Sequence, residues 1–198
     1  MPNILVTGAA GFIGTTICHK LAEAERDVVA CTRSRHEIPG VSTVPSPDLG
    51  PKADWTEALQ EVKTVIHFAA RAHVAGETKG FEAEAFYQAF NTHGTACLAK
   101  QAATLGIRHF IFLSSIGASA EYSKSPLSIL AQNTPSTPYG RSKLGAENAL
   151  KEICSGTKTS YTIIRPPLVY GPKNPGNMAR LLKITDSGIP LPLSSFIS

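Results

Sequence analysis

A chain of 198 residues is long enough for one full domain and part of a second. With 42% hydrophobic and 17% charged residues it is too apolar to be disordered, and it has no run of about 18 apolar residues to cross a membrane. The 19 basic and 15 acidic residues are scattered without a basic run, so nucleic acid is not an expected partner, although an anionic ligand can still be held.

The N-terminal residues lack a basic region and their apolar run is short, so Asn3–Thr7 reads as a strand buried on both faces and not as a signal peptide. Phe12–Ala24 sets Ile13, Ile17, Leu21 and Ala24 at helical spacing. Asp27–Thr32 reads as a second strand. Asp54-Trp55-Thr56-Glu57 has the form of a cap with glutamate at the third helical position; it predicts a short helix to Gln60, with Trp55 packing helix against sheet. Thr64–His67 is a further buried strand. Glu82–Leu105 is a long alanine-rich helix ended by Gly106, and His109–Ser114 is a strand. Thr137-Pro138 caps a helix running to about Cys154, with Gly156 as its stop, and Ser160–Arg165 is the last clear strand. Strands alternating with helices imply right-handed parallel crossovers, hence an α/β fold with a doubly wound, Rossmann-like parallel sheet. Cys18, Cys31, Cys97 and Cys154 form no CxxC pair and the six histidines show no metal-ligand spacing. No metal or disulfide framework is expected, and the compartment reads as reducing and cytoplasmic.

Three segments carry chemistry. Gly8-Ala9-Ala10-Gly11-Phe12-Ile13-Gly14, between the first strand and the first helix, supplies a tight turn, close backbone approach and a helix N-terminus, which is what a pyrophosphate needs. Tyr139 and Lys143 stand at i and i+4 on one helix face. A lysine beside a tyrosine is expected to draw the phenol's pKa down towards neutrality, suiting it to accept a hydroxyl proton. Ser114 and Ser115 end a strand on the side of a parallel sheet where ligands bind.

Together these segments resemble the extended short-chain dehydrogenase/reductase family, in its NAD-dependent epimerase/dehydratase branch acting on nucleotide sugars. The likeness runs from Ile4 to about Met178. Asp48-Leu49 is similar to the family's adenine-reading pair, and His67-Phe68-Ala69-Ala70 to the segment lying along the cofactor. Asn91-Thr92-His93-Gly94-Thr95 resembles its NxxGT motif, and Arg165-Pro166-Pro167-Leu168-Val169-Tyr170-Gly171-Pro172 its segment beside the nicotinamide.

The resemblance implies Tyr139 as general base, Lys143 as holder of the nicotinamide ribose, and Ser115, preferred over Ser114, as the hydrogen-bond partner of the reacting oxygen. Gly8, Gly11, Phe12, Ile13, Gly14, Asp48, Leu49, Phe68, Ala69, Ala70, Asn91, Ser114 and Pro166 are implied as cofactor contacts, with Asn177 beside the substrate. The reaction implied is NAD(P)-dependent hydride transfer at C4 of a nucleotide sugar, a UDP-hexose first. The absence of an acidic pair near Ser114-Ser115 disfavours a dehydratase, so epimerase and 4-keto-reductase both stand. The family's strand-two acid is missing from Cys31-Thr32-Arg33-Ser34-Arg35-His36, where Arg33 and Arg35 suit a 2′-phosphate. The cofactor is therefore NAD or NADP, with a lean to NADP tolerance. Family members are longer; residues 1–176 are expected to form the cofactor-binding domain, and 177–198 the start of a substrate-binding part that is mostly missing. Little turnover is expected of such a fragment. The rival reading is a catalytically silent dinucleotide-binding module. A homodimer is a possible assembly, and no membrane partner is expected.

Overall fold

Six strands run parallel in the order β3-β2-β1-β4-β5-β6, which reverses direction of winding between β1 and β4. They are β1 (Asn3–Thr7), β2 (Val28–Thr32), β3 (Ser42–Pro45), β4 (Val62–His67), β5 (His109–Leu113) and β6 (Ser160–Ile164). This order creates the crevice at which α/β sheets take dinucleotides. The computed structural model describes residues 3–33, 37–72, 81–172 and 177–187. The chain divides into two compact units, Met1–Pro167 and Leu168–Ser198. The sheet belongs to the first; the second contains a helix over Asn177–Asp186. Among the described residues no helix is long and apolar enough to cross a membrane.

Strand alternation sends neighbouring side chains to opposite faces and so builds two cores. Leu5, Val65, Phe110 and Phe112 join Trp55, Leu98 and Leu150 on one face, under α3 (Gly94–Thr104) and α4 (Pro138–Cys154). Val6, Val28, Ala30 and Ile66 meet Cys18 of α1 (Phe12–Glu23) on the other. Burying a side chain the size of Phe110 contributes about 1.5–3 kcal/mol.

Helix boundaries follow local chemistry. The Thr137 side chain accepts the Gly140 N–H at 3.0 Å with Pro138 in the first turn, so α4 begins where its sequence cap stands. At the end of α3, Gly106 takes φ +74°, its N–H reaches Ala103 O, and Ile107 N–H reaches Ala102 O; this left-handed stop seals the last turn.

Three differences from the sequence reading have physical causes. β3 was not foreseen. Residues 54–60 form no helix, and 56–61 run as turns: Asp54 Oδ1 accepts from Thr56 N, two residues on, while Trp55 N donates to Gln101 Oε1 at 2.7 Å, and Glu61 lies at φ 60°. Trp55 is nevertheless fully buried in the core. The long helix is three pieces: α2 (Phe81–Tyr87), a π-turn over Gln88–His93, and α3. The π-turn turns Asn91 inward, a device that recurs at functional sites.

Candidate functional site

The glycine turn begins at Gly8, whose φ of +67° favours glycine and where a Cβ would lie 2.6 Å from Ala69 N. Gly11 N–H closes the turn on Gly8 O at 2.9 Å, and Thr15 Oγ1 donates to Ala9 O at 2.9 Å. A Cβ at Gly14 would sit 2.2 Å from Gly8 O, so that glycine lets α1 pack onto the turn. Gly11 is the N-cap of α1 and offers no side-chain acceptor, so the first N–H groups of the helix keep their capacity for an anion. Phe12 and Ile13 follow, half-buried in the first turn of α1.

A cavity of about 510 Å³ opens beside this turn, off the carboxyl ends of β1, β2 and β4. Gly8 and Gly11 form one wall, and Phe68, Ala69 and Ala70 another. Arg33, Asp48 and Leu49 lie along it, so residues drawn from five separate stretches of sequence converge on one space. Its bare glycine edge, mixed apolar and polar walls and the cationic Arg33 fit a dinucleotide. Arg71 and Phe90 also line it, and neither was singled out from the sequence. The Arg71 guanidinium lies 5.2 Å from the Phe90 ring centre and 5.5 Å from that of Phe86. Arg35, His73 and the side chain of Asn177 lie outside the described residues.

Asn91 is buried, and its amide is spent on the protein. Its Oδ1 accepts Arg71 N–H at 2.8 Å, while Nδ2 donates to Arg71 O at 2.9 Å and to Ser142 Oγ at 3.0 Å. Ser142 Oγ donates in turn to Tyr139 O. Asn91 thereby links the Phe68–Arg71 wall to the first turn of α4.

Tyr139 is half-buried, with its ring edge-on to Tyr87 at 6.0 Å. Lys143 is 2% exposed, and its Nζ lies 4.3 Å from the centre of the Phe112 ring. The tyrosine's pKa moves opposite to the expected direction. Burial raises the Tyr139 phenol, the neighbouring Tyr87 raises it further, and desolvation lowers the Lys143 amine to about 7. Sharing a helix face directs both side chains inward; desolvation then favours the neutral form of each.

The two serines differ in environment. Ser114 is 3% exposed and donates its hydroxyl to Glu147 Oε1 at 2.5 Å. Ser115 is half-buried; its Oγ accepts Gly117 N–H at 3.1 Å and caps a 3-10 turn over Ile116–Ala118, which leaves its own proton to donate. Ile116 N–H donates to Pro166 O at 3.0 Å, so Pro166 pins that turn to the end of β6. Glu147 and Arg165, whose side chains pair at 2.5 Å, had drawn no attention in the sequence as an ion pair. The only signal was that Glu147 extends the Tyr139, Lys143 series by one more step of four.

Residues 4–185 match the NAD dependent epimerase/dehydratase family. UDP-glucose 4-epimerase of Vibrio cholerae is 35% identical over 197 residues, covering 98% of this chain and 60% of that protein. The structure of UDP-glucuronic acid 4-epimerase from Bacillus cereus in complex with NAD superposes with a TM-score of 0.79 at 26% identity, over 96% of this chain and 65% of its own. MoeE5 in complex with UDP-glucuronic acid and NAD gives 0.81 at 28% identity, over 96% and 63%. The chain thus spans about 60% of the length of these relatives. A glycine turn at the β1/β4 crevice, the tyrosine–lysine helix face and a match over nearly the whole sequence lead to one assignment: the chain belongs to the NAD dependent epimerase/dehydratase family, within the extended short-chain dehydrogenases/reductases.

Proposed function

We propose that this chain carries the cofactor-binding part, residues 1–176, and the start of the substrate-binding part, residues 177–198, of a nucleotide-sugar 4-epimerase or 4-keto-sugar reductase acting on a UDP-hexose. The observation that carries the reading is the presence, in one sheet, of the glycine-turn cavity and of a Tyr139–Lys143 face whose lysine is buried against Phe112 of β5. NAD is the cofactor favoured by the relatives; Arg33, on the cavity wall, allows NADP as well.

A bound nicotinamide would supply the hydride chemistry at C4 of the sugar. Gly8–Gly14 would hold the pyrophosphate, Asp48 and Leu49 the adenosine end, and Phe68–Ala70 the length of the cofactor. Lys143 would hold the nicotinamide ribose. Tyr139 would act as its phenolate, the phenol's own proton having first passed to solvent, and would take the proton of the sugar hydroxyl and return it. Because burial keeps that phenol neutral, it serves as general base only once Lys143 stands charged beside it. Ser115, with its oxygen held by Gly117 N–H, would donate to the reacting oxygen, and Asn177 would border the sugar.

The test is made on the protein expressed from its whole coding sequence. Calorimetric titration with NAD and NADP is followed by proton NMR of UDP-glucose and UDP-N-acetylglucosamine incubated with it. Cofactor binding with appearance of the 4-epimer, lost by ~10²–10⁴-fold in Tyr139→Phe while affinity holds, is the expected result. Binding of neither cofactor would sink the reading. Binding without conversion or reduction of any UDP-hexose would instead identify a silent dinucleotide-binding module.

A further inference from the structure

Glu147 is completely buried, yet nothing in the proposed chemistry uses it. It continues the face that bears Tyr139 and Lys143, one step of four further along α4. Its Oε1 accepts Ser114 Oγ–H at 2.5 Å and Arg165 Nε–H at 2.8 Å, and its Oε2 accepts Arg165 Nη2–H at 2.5 Å. Arg165 spends its remaining donor edge on Ser119 Oγ at 2.7 Å and Asn133 Oδ1 at 2.8 Å. One carboxylate therefore gathers the end of β5, the end of β6, the 3-10 turn that follows Ser115 and the loop leading into Tyr139.

A buried ion pair is poor value as a stabiliser, since apolar residues of similar volume commonly do as well or better. Its presence here asks for another reason, and the neighbouring cation provides one. Lys143 is taken almost wholly out of water, where an ammonium is costly. Among the described residues, the charged and titratable groups that act on it are Glu147 and His67. Glu147 lies on its own helix, and the neutral imidazole of His67 lies across on β4; the Phe112 ring of β5 packs under its Nζ. Of these, Glu147 is the one that brings negative charge.

We propose that Glu147 is a positioning residue of the cofactor site: held rigidly by Ser114 and Arg165, it keeps Lys143 in its charged form to hold the nicotinamide ribose. The ribose contact rests on the function proposed above; the coupling of the two side chains does not. Glu147 opposes the desolvation that brings the Lys143 amine to about 7. Its removal should therefore carry the lysine's titration further to acid. Arg165 holds that carboxylate through both of its oxygens and so fixes where its charge stands.

The experiment follows the Lys143 titration directly, by ¹³C NMR of protein labelled at lysine Cε, with the resonance assigned by Lys143→Met. Glu147→Gln should shift the midpoint to acid by roughly one unit or more. The double variant Glu147→Gln/Arg165→Met, which strands neither charge, should shift it to acid by a smaller step, and Ser114→Ala should leave it nearly in place. A structural role alone would lower the melting temperature in all three variants without moving the lysine midpoint. An unchanged midpoint in Glu147→Gln overturns the proposal. If Glu147→Gln does not fold, the double variant decides alone, and a midpoint that is fixed or moves to alkali overturns it. NAD titrations from pH 6 to 9 complete the test. Affinity should fall with the lysine midpoint, about tenfold lower in Glu147→Gln at pH 8. A shifted lysine midpoint with no effect on NAD affinity would keep the coupling and refute the ribose contact.

Discussion

Thr7 and His67 face each other across the seam between β1 and β4, with the Thr7 hydroxyl 2.6 Å from His67 Nδ1. Thr7 Oγ1 also accepts Ala69 N–H at 3.3 Å, and His67 Nε2 lies 3.1 Å from Thr95 Oγ1. A neutral ring donates from one nitrogen and accepts at the other, so His67 bridges the Thr7 and Thr95 hydroxyls. The chain of contacts runs from the cofactor-side segment, through the strand end before the glycine turn, to the head of α3. His67 stacks on Phe112 with ring centres 5.8 Å apart, so the same imidazole also touches the lysine's platform.

A neutral, fully buried histidine makes stability depend on pH. Desolvation, aided by the Lys143 charge, lowers the His67 pKa to about 3. Its folded value is thus depressed below its unfolded one, and below pH ~6.5 the unfolded chain takes up a proton that the native state refuses. Stability falls as pH drops through this window towards 3. Glu121, which accepts from Ser136 and Thr137 and is lowered from its ordinary 4.5 to about 2, adds its own loss as pH falls through that lower window. Melting temperatures between pH 6.5 and 5 should therefore decline in the native sequence and be flatter in His67→Asn, which starts about 1–3 kcal/mol less stable at pH 7. Parallel slopes would show that His67 is protonated in the fold.

The glycines of the turn should separate folding from binding. Gly11 has φ −80° and ψ 168°, an extended conformation open to valine, and a Cβ there meets only Gly8 O at 3.1 Å. Gly11→Val is expected to melt close to the native temperature yet lose NAD, because its side chain stands on the cavity wall. Gly14→Ala should lower stability by about 1–3 kcal/mol, since its Cβ collides with the backbone of Gly8 and Ala9 in the glycine turn. Fluorescence titration with NADH on folded protein is the measurement. Native affinity in Gly11→Val would remove the pyrophosphate from this turn.

The proposed tolerance for NADP is tested at one residue of the described cavity wall. Arg33 follows β2 directly and is solvent-exposed. Arg33→Ala should weaken NADPH by about 1.5–3 kcal/mol, the value of a charge-assisted contact to phosphate, and leave NADH nearly unchanged. Equal losses for both cofactors would mean that the arginine contributes general positive potential and does not read the 2′-phosphate.

Much of this architecture is legible in the sequence because its strands are continuous apolar runs and its helices carry explicit caps. Thr137-Pro138 and Gly156 delimit α4 correctly for the reasons that make them cap residues. β3 escaped because an edge strand of four residues, Ser-Thr-Val-Pro, exposes three of them and carries no apolar run. The Asp54 signal misled because the side chain closed a turn two residues on, and the Trp55 N–H was claimed by Gln101. Tyr139 and Lys143 stand out by spacing, but the direction of their pKa values depends on burial, which spacing does not report. Glu147 and Arg165 lie 18 residues apart, and only the tertiary fold makes them a pair.

Lys143 should show function opposed to stability. Its amine has a folded pKa near 7, well below its ordinary value of about 10.5. As pH falls from 10.5 to 7 the unfolded chain binds a proton that the native state resists, so the native fold loses stability over that range and has lost it in full below pH 7. Lys143→Met keeps the length of the side chain and its packing on Phe112 while removing the charge. Glu147 keeps Arg165 as a partner, so no carboxylate is stranded by the change. Replacing a buried charge by a matched apolar group is commonly neutral or stabilising by about 1–4 kcal/mol. Lys143→Met is therefore expected to melt at or above the native temperature at pH 7, with the difference shrinking as the pH approaches 10. It should at the same time bind NAD more weakly. A variant that melts well below the native protein at pH 7 would show that the ammonium stabilises this fold, and that its burial beside Phe112 and Glu147 is a net gain to folding and no concession to the cofactor.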